Sequence, residues 1–156
     1  MRGAHVAPVS DAVIVLDCRG FPLVVSTYTR APTPEDFRDY EARMVGQVYA
    51  RNQRFLSLAD LSEIDAADAT VRREGAAMAK RLEPEARELL IASVLVLPSP
   101  IQRHIITAVR WLSPPAYPER AVATRAEAAA LAQGYLEEAG APLTLQTRAA
   151  LAGLRV

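Results

Sequence analysis

The sequence predicts an α/β fold: a small mixed, mostly parallel sheet with helices packed on it. Three observations carry this. Apolar runs of strand length, rich in β-branched residues, recur at Ala12–Asp17, Phe21–Thr27, Phe55–Ala59 and Ile91–Leu97. Stretches with apolar residues at helical spacing separate the later runs. The chain has 156 residues, 51% of them apolar, which suits one domain around one core. Strands that alternate with helices pair in parallel through right-handed crossovers.

The first two runs lie too close for a crossover, so they form an antiparallel hairpin through Cys18-Arg19-Gly20, with Gly20 free to take a positive φ. Pro22 has no N–H and belongs at the start or edge of its strand. Thr33 is the N-cap of the next helix, with Pro34 at its first position and Glu35 and Asp36 at the positive end of its dipole. Phe37, Tyr40, Met44, Val45 and Val48 form its inner face, and the helix ends near Asn52. Phe55–Ala59 is a buried strand that ends at Asp60. Asp65 or Asp68 caps the following helix, which turns Val71, Gly75, Met78, Ala79 and Leu82 inward. Glu83-Pro84 is expected to break it, because the residue before proline disfavours helical angles; a short helix, Glu85–Leu90, follows.

Ile91–Leu97 is apolar almost throughout, as befits a strand covered on both faces. Ser99-Pro100 starts a helix with an expected inner stripe of Ile101, Ile105, Ala108, Val109 and Leu112, and with Gln102, Arg103, Thr107 and Arg110 outward. Ser113–Pro118 is a rigid loop and Arg120–Ala123 an edge strand. Thr124 and Glu127 form a capping box for a helix with Ala128, Leu131, Ala132 and Tyr135 inward, closed by Gly140. Residues 144–153 form a last short helix. No repeat or linker divides the chain, so residues 1–156 read as one domain with a loose arm at 1–10 and a C-terminal extension at 144–156.

Several function classes fall away. Lysine plus arginine and aspartate plus glutamate number 18 each, so the general positive field that nucleic acid requires is missing. Cys18 is the only cysteine, which excludes an intramolecular disulfide and a thiolate-rich metal site; it reads as a turn or strand-edge residue, with Arg19 beside it to lower its pKa if it is exposed. Neither a G-x-G-x-x-G after the first strand nor a P-loop occurs, and no cofactor is expected. Residues 1–10 lack the apolar core of a signal peptide, and no apolar run nears the roughly 20 residues of a membrane span, so a cytoplasmic protein is expected.

The candidate site centres on Phe55–Arg73, where a buried strand passes through an acidic turn into a helix. Such a turn lies at the carboxyl end of the sheet, where ligands dock. It brings Asp60, Ser62, Asp65, Asp68, Thr70 and Arg72 close together. The acids Asp60, Glu63, Asp65 and Asp68 have the hard oxygens that Mg²⁺ takes, but no glycine-rich phosphate cradle accompanies them; capping and solvation is the plainer reading. His5 and His104 stand alone in sequence, and no serine or cysteine has a recognisable base. Trp111 reads as buried core. Tyr117, on the proline-rich loop, is a candidate contact, with Arg103 and Arg110 flanking it for a partner protein or a peripheral contact with an anionic membrane.

F-P-L-V-V at Phe21–Val25, T-P-E-D-F at Thr33–Phe37, L-A-D-L-S at Leu58–Ser62, R-R at Arg72–Arg73, S-P-I-Q-R-H-I-I-T-A-V-R-W-L at Ser99–Leu112 and R-A-E-A at Arg125–Ala128 occur in an order that resembles the STAS superfamily, and within it the SpoIIAA-like (STAS/SEC14-type) proteins. The resemblance spans roughly residues 11–138 and includes D-L-S-E-I-D at Asp60–Asp65. It implies a STAS/SpoIIAA-like fold and a non-enzymatic module that binds a regulatory protein, as anti-sigma-factor antagonists do. The switch members carry a phosphorylated serine in a D-S-S-G-like sequence at the start of the helix after this strand. The matching place here reads D-A-A-D, Asp65–Asp68, with alanines where hydroxyls belong; Ser62 and Thr70 are the nearest phosphorylatable residues. An aspartate at a helix N-terminus places a fixed negative charge there, much as a phosphate would. The SEC14 side of the family implies the alternative, a carrier of a small apolar or lipid-like ligand. Self-association is expected, if anywhere, at the hairpin edge or the C-terminal helix.

Overall fold

The structure is a computed structural model that describes residues 11–65 and 68–156. The expected loose arm, His5, Ala66 and Ala67 lie outside the described residues. The fold is α/β, a five-stranded mixed sheet with five α-helices. In chain order these are β1 (Ile14–Asp17), β2 (Leu23–Tyr28), α1 (Pro34–Gln47), β3 (Phe55–Asp60), α2 (Ala69–Leu89), β4 (Leu90–Val96), α3 (Pro100–Leu112), β5 (Glu119–Val122), α4 (Arg125–Glu138) and α5 (Leu145–Leu154). Strand order equals sequence order; β1 runs antiparallel to β2, and β2 to β5 are parallel.

Alternation along the strands sorts the core into two layers. In β3, Phe55 packs with Phe37, Tyr40, Met44, Val71 and Ala86 beneath α1 and α2. Leu56 and Leu58 point the other way, toward Ala132 and Leu136 of α4 and Leu151 of α5. Burial of each such Leu or Phe contributes about 1.5–3 kcal/mol. The C-terminal extension is docked: Thr147 and Leu151 are buried, and the Thr147 hydroxyl donates to the Phe21 carbonyl at 3.3 Å.

The expected caps form. Thr33 and Asp36 make a reciprocal capping box on α1, and Ser99 accepts from the Gln102 N–H; on α4 the expected box closes on one side only, since Thr124 accepts from the Glu127 N–H while the Glu127 carboxylate accepts from the Ala123 N–H rather than from that of Thr124. Asp68 is the N-cap of α2 and accepts from the N–H groups of Thr70 and Val71. Beyond α1, Tyr49–Arg51 make a turn of 3-10 helix, which Asn52 ends in the left-handed region at φ 51°.

Four expectations are corrected. Gly20 does not take a positive φ; a side chain there would meet the Ala150 Cβ at 2.7 Å, so glycine is required by the close approach of α5. Val45 is exposed rather than part of the inner face of α1. The break at Glu83-Pro84 does not occur, and α2 continues through Pro84 to Leu89 in place of a separate Glu85–Leu90 helix. The fourth correction is the orientation of α3. None of its residues is buried, Arg103, Ile106 and Arg110 turn toward the body, and Ile101 (72% exposed), Val109 (50%), Trp111 (85%) and Leu112 (89%) face solvent. Hydrogen bonds fix this orientation: Arg103 donates to the Leu97 and Pro98 carbonyls at 2.7 and 2.8 Å, and Arg110 clasps Glu119 at 2.6 and 3.0 Å.

Candidate functional site

Because β2 to β5 are parallel, their carboxyl ends share one rim with the N-termini of α1 to α4. Asp60 closes β3 on this rim, opposite Thr27 of β2 and Val96 of β4. It is 3% exposed. A carboxylate this deep needs partners for both oxygens. One oxygen accepts from the Ser62 N–H at 3.0 Å and from the Ser62 hydroxyl. The other accepts from the Arg125 guanidinium at 2.5 Å, which joins β3 to the first turn of α4. Burial alone would raise the Asp60 pKa; the hydrogen bonds from Ser62 and Arg125 outweigh it and hold the carboxyl below its ordinary value.

The turn after β3 is closed locally. The Leu61 N–H donates to the Val96 carbonyl at 3.1 Å, the Ile64 N–H to the Leu61 carbonyl at 3.3 Å and the Asp68 N–H to the Asp65 carbonyl at 3.1 Å. The buried Ile64 side chain pins the turn to the core beneath α1 and α2. Asp65 is exposed and accepts from the Gln102 side-chain amide at 2.8 Å, so the turn is stapled to the first turn of α3. Asp68 and Arg72 are exposed, and Ser62 and Thr70 are half-buried.

Six of the eight sequence candidates therefore share this rim: Asp60, Ser62, Asp65, Asp68, Thr70 and Arg72. Arg103 lies at its border, half-buried, with its guanidinium on the loop carbonyls after β4. Tyr117 is elsewhere. It is half-buried, packs against the core beneath α1 and α2, and burial pushes its pKa up. Trp111, expected in the core, stands in solvent because α3 presents its polar side to the body. Sequence reasoning missed Arg125 as the partner of Asp60. The only signal was its place just inside the start of α4, on the same rim.

A second feature lies below the rim. Ser57 and Ala59 of β3 and Ser93 of β4 are small side chains on the face toward α2. They leave a cavity of about 180 Å³ lined also by Tyr28, Met44, Met78 and Tyr117, with the Arg110–Glu119 pair at one side. Cys18 is half-buried against the same core layer. Burial raises its pKa, and Arg19 is engaged with Asp17 at 2.7 Å rather than with the thiol. Among the described residues, no group of three or more His, Cys, Asp or Glu stands close enough to hold a metal ion, and no helix is long and apolar enough to cross a membrane.

Comparison of the chain with protein-family models, with curated proteins and with solved structures finds no match.

Proposed function

We propose that this is a cytoplasmic, non-enzymatic regulatory or scaffolding module that binds a partner protein through the rim formed by Ser62, Asp65, Asp68, Thr70 and Arg72. The observation that carries this reading is the state of the rim's carboxylates. Asp60, the buried one, has both oxygens spent on Ser62 and Arg125 and holds the strand end in shape. Asp65 and Asp68 face solvent with Arg72 beside them, on a turn fixed at both ends. Fixed exposed charges of both signs suit orientation and selection of a protein surface. The resemblance of the segments around this turn to STAS domains points to the same class of partner. Asp68 at the N-terminus of α2 supplies a permanent negative charge where switch members gain a phosphate, so binding here is unswitched.

The test is affinity capture from the cells that make the protein, with wild type and an Asp65→Arg/Arg72→Glu variant. Both positions are exposed, so circular dichroism is expected to be unchanged. Loss of one specific protein from the variant supports the rim. An identical partner set, or phosphate found on Ser62 or Thr70 in the isolated protein, contradicts the unswitched rim reading.

The cavity beneath α2 supports a second reading, a carrier of a small apolar ligand. Its size suits a single ring or a short aliphatic chain, and its lining of tyrosine, methionine and serine side chains mixes apolar surface with a few polar contacts. Native mass spectrometry of the purified protein decides it: a bound species of about a hundred daltons, released on unfolding, favours the carrier.

A further inference from the structure

The cavity beneath α2 has a polar floor. Ser57 of β3 is in register with Ser93 of β4, and Ser93 with Glu119 of β5. Partners in parallel register point to the same face, so these three side chains form one row on the side that carries α2. Ser57 and Ala59 lie on the central strand, where a side chain under a helix is ordinarily buried, yet both are only half-buried, as is Ser93. The helix above does not fill the space. Gly75 and Ala79, about one turn apart on α2, line the same cavity. A Cβ at Gly75 would meet nothing closer than the Phe37 ring at 4.0 Å, so close packing does not demand glycine there. Small side chains on both walls therefore keep the volume open.

The polar groups of the lining divide into two kinds. Arg110 and Glu119, its charged side chains, are spent on each other through two hydrogen bonds. The hydroxyls of Tyr28, Ser57 and Ser93 have no hydrogen-bond partner among the described residues. Tyr28 is 6% exposed. Among the described residues no fully buried side-chain oxygen or nitrogen lacks a partner, so the Tyr28 hydroxyl borders open space, and the cavity is the space that Tyr28 lines. Burial pushes the Tyr28 pKa up, so this hydroxyl keeps its proton and can donate. A hydroxyl this deep needs a partner, and nothing in the surrounding core supplies one.

We propose that this cavity binds a small neutral ring that carries a hydroxyl group, a molecule of the phenol class. The inference rests on the carrier reading, whose ligand it names, and is independent of the rim. Size sets the ring: an apolar cavity of roughly 150 Å³ takes benzene, and this one, at about 180 Å³, has room for one ring and a substituent. The rings of Tyr28, Tyr49, Phe55 and Tyr117 and the Met78 thioether favour an aromatic guest through edge-to-face and sulfur contacts. Ser57 and Ser93, about 5 Å apart on neighbouring strands, each donate or accept, and so suit a hydroxyl at the edge of that ring. An anion does not suit the site. Its burial would need an unpaired cation, and Arg110 is already neutralised by Glu119.

Calorimetric titration of the purified protein at pH 7 with phenol, benzene and benzoate tests this. Phenol is expected to bind at least about tenfold more tightly than benzene, and benzoate not detectably. Ser57→Ala, Ser93→Ala and Tyr28→Phe each weaken phenol about fivefold and leave benzene unchanged. Because these hydroxyls bond nothing in the protein itself, the three variants melt no lower than wild type. Ala79→Leu fills the cavity from the helix side and abolishes binding of both rings. Equal binding of phenol and benzene, indifferent to the serine variants, would overturn the hydroxylated ligand and leave the apolar carrier standing. Binding of neither ring would mean that water alone satisfies the hydroxyls, and would overturn the carrier reading with it. Phenol binding that survives Ala79→Leu would place the guest elsewhere and also overturn the proposal.

Discussion

Asp60 is a charge held by its neighbours on the rim, and its replacement shows what that hold contributes. Asp60→Asn keeps the shape but leaves Arg125 without its anion and Ser62 with a weaker acceptor. Loss of a hydrogen-bonded buried charge partner costs about 1–3 kcal/mol, and the half-exposed Arg125, which water can still solvate, keeps the figure toward the lower end. The pH dependence follows from the direction of the shift. The folded Asp60 carboxyl lies below its ordinary 3.8, so its stabilisation is fully present above that value and is lost as pH falls through the lowered folded value. Urea unfolding of the two proteins is expected to differ at pH 7 and to converge in strong acid; equal stability at pH 7 would contradict this account of Asp60. At this scale the sequence was partly legible. Asp60 was readable as the end of a buried strand and Asp68 as a helix cap, because both follow from local pattern. The Asp60–Arg125 pair was not, because 65 residues separate its members and only the parallel sheet brings them to one rim.

The two helices that departed from expectation did so for related reasons. In α2, Pro84 removes an N–H that would donate to the Lys80 carbonyl. Local preference alone would end the helix there. Val71 in its first turn and Ala86 beyond the proline are buried in the same core layer, and Arg81 clasps Glu41 of α1 at 2.7 Å. Packing on both sides of Pro84 therefore holds the helix through it. Proline in a helix interior is about 3 kcal/mol less favourable than alanine, and the stiffer unfolded chain returns about 0.4–1 kcal/mol of that. Pro84→Ala is thus expected to raise stability by about 2 kcal/mol in denaturant titration; a loss of stability would show that Pro84 terminates a helix rather than interrupting one. In α3 the periodicity was read correctly and its direction was not. An amphipathic stripe says which side is apolar, and burial of that side is the usual outcome. Here Arg103 and Arg110 find carbonyls and a carboxylate on the body, and hydrogen bonding to them sets the polar side inward. Those acceptors lie on the loop after β4 and on β5, and their positions are not visible in the helix's own sequence.

Across the whole molecule, the fold class was legible because alternating strands and helices admit few arrangements once crossovers are right-handed. The strand order, β1 to β5 without reversal, was not legible, because right-handed crossovers are compatible with several orders. That order has a functional consequence. A doubly wound sheet opens a crevice where its strand order reverses, and this sheet never reverses, so its carboxyl rim is a continuous surface rather than a cleft. On the proposed reading a partner meets this surface by contact, with Asp65, Asp68 and Arg72 exposed on the turn that Ile64 and Gln102 hold. The measurement that tests the rim most directly is photo-cross-linking in the native cell, with a benzophenone amino acid placed at Arg72 in one variant and at the exposed Leu145 on α5 in another. The account predicts one discrete protein adduct from position 72 and none of that mass from position 145. The same adduct from both positions, or from position 145 alone, would contradict it and move the functional surface off the rim.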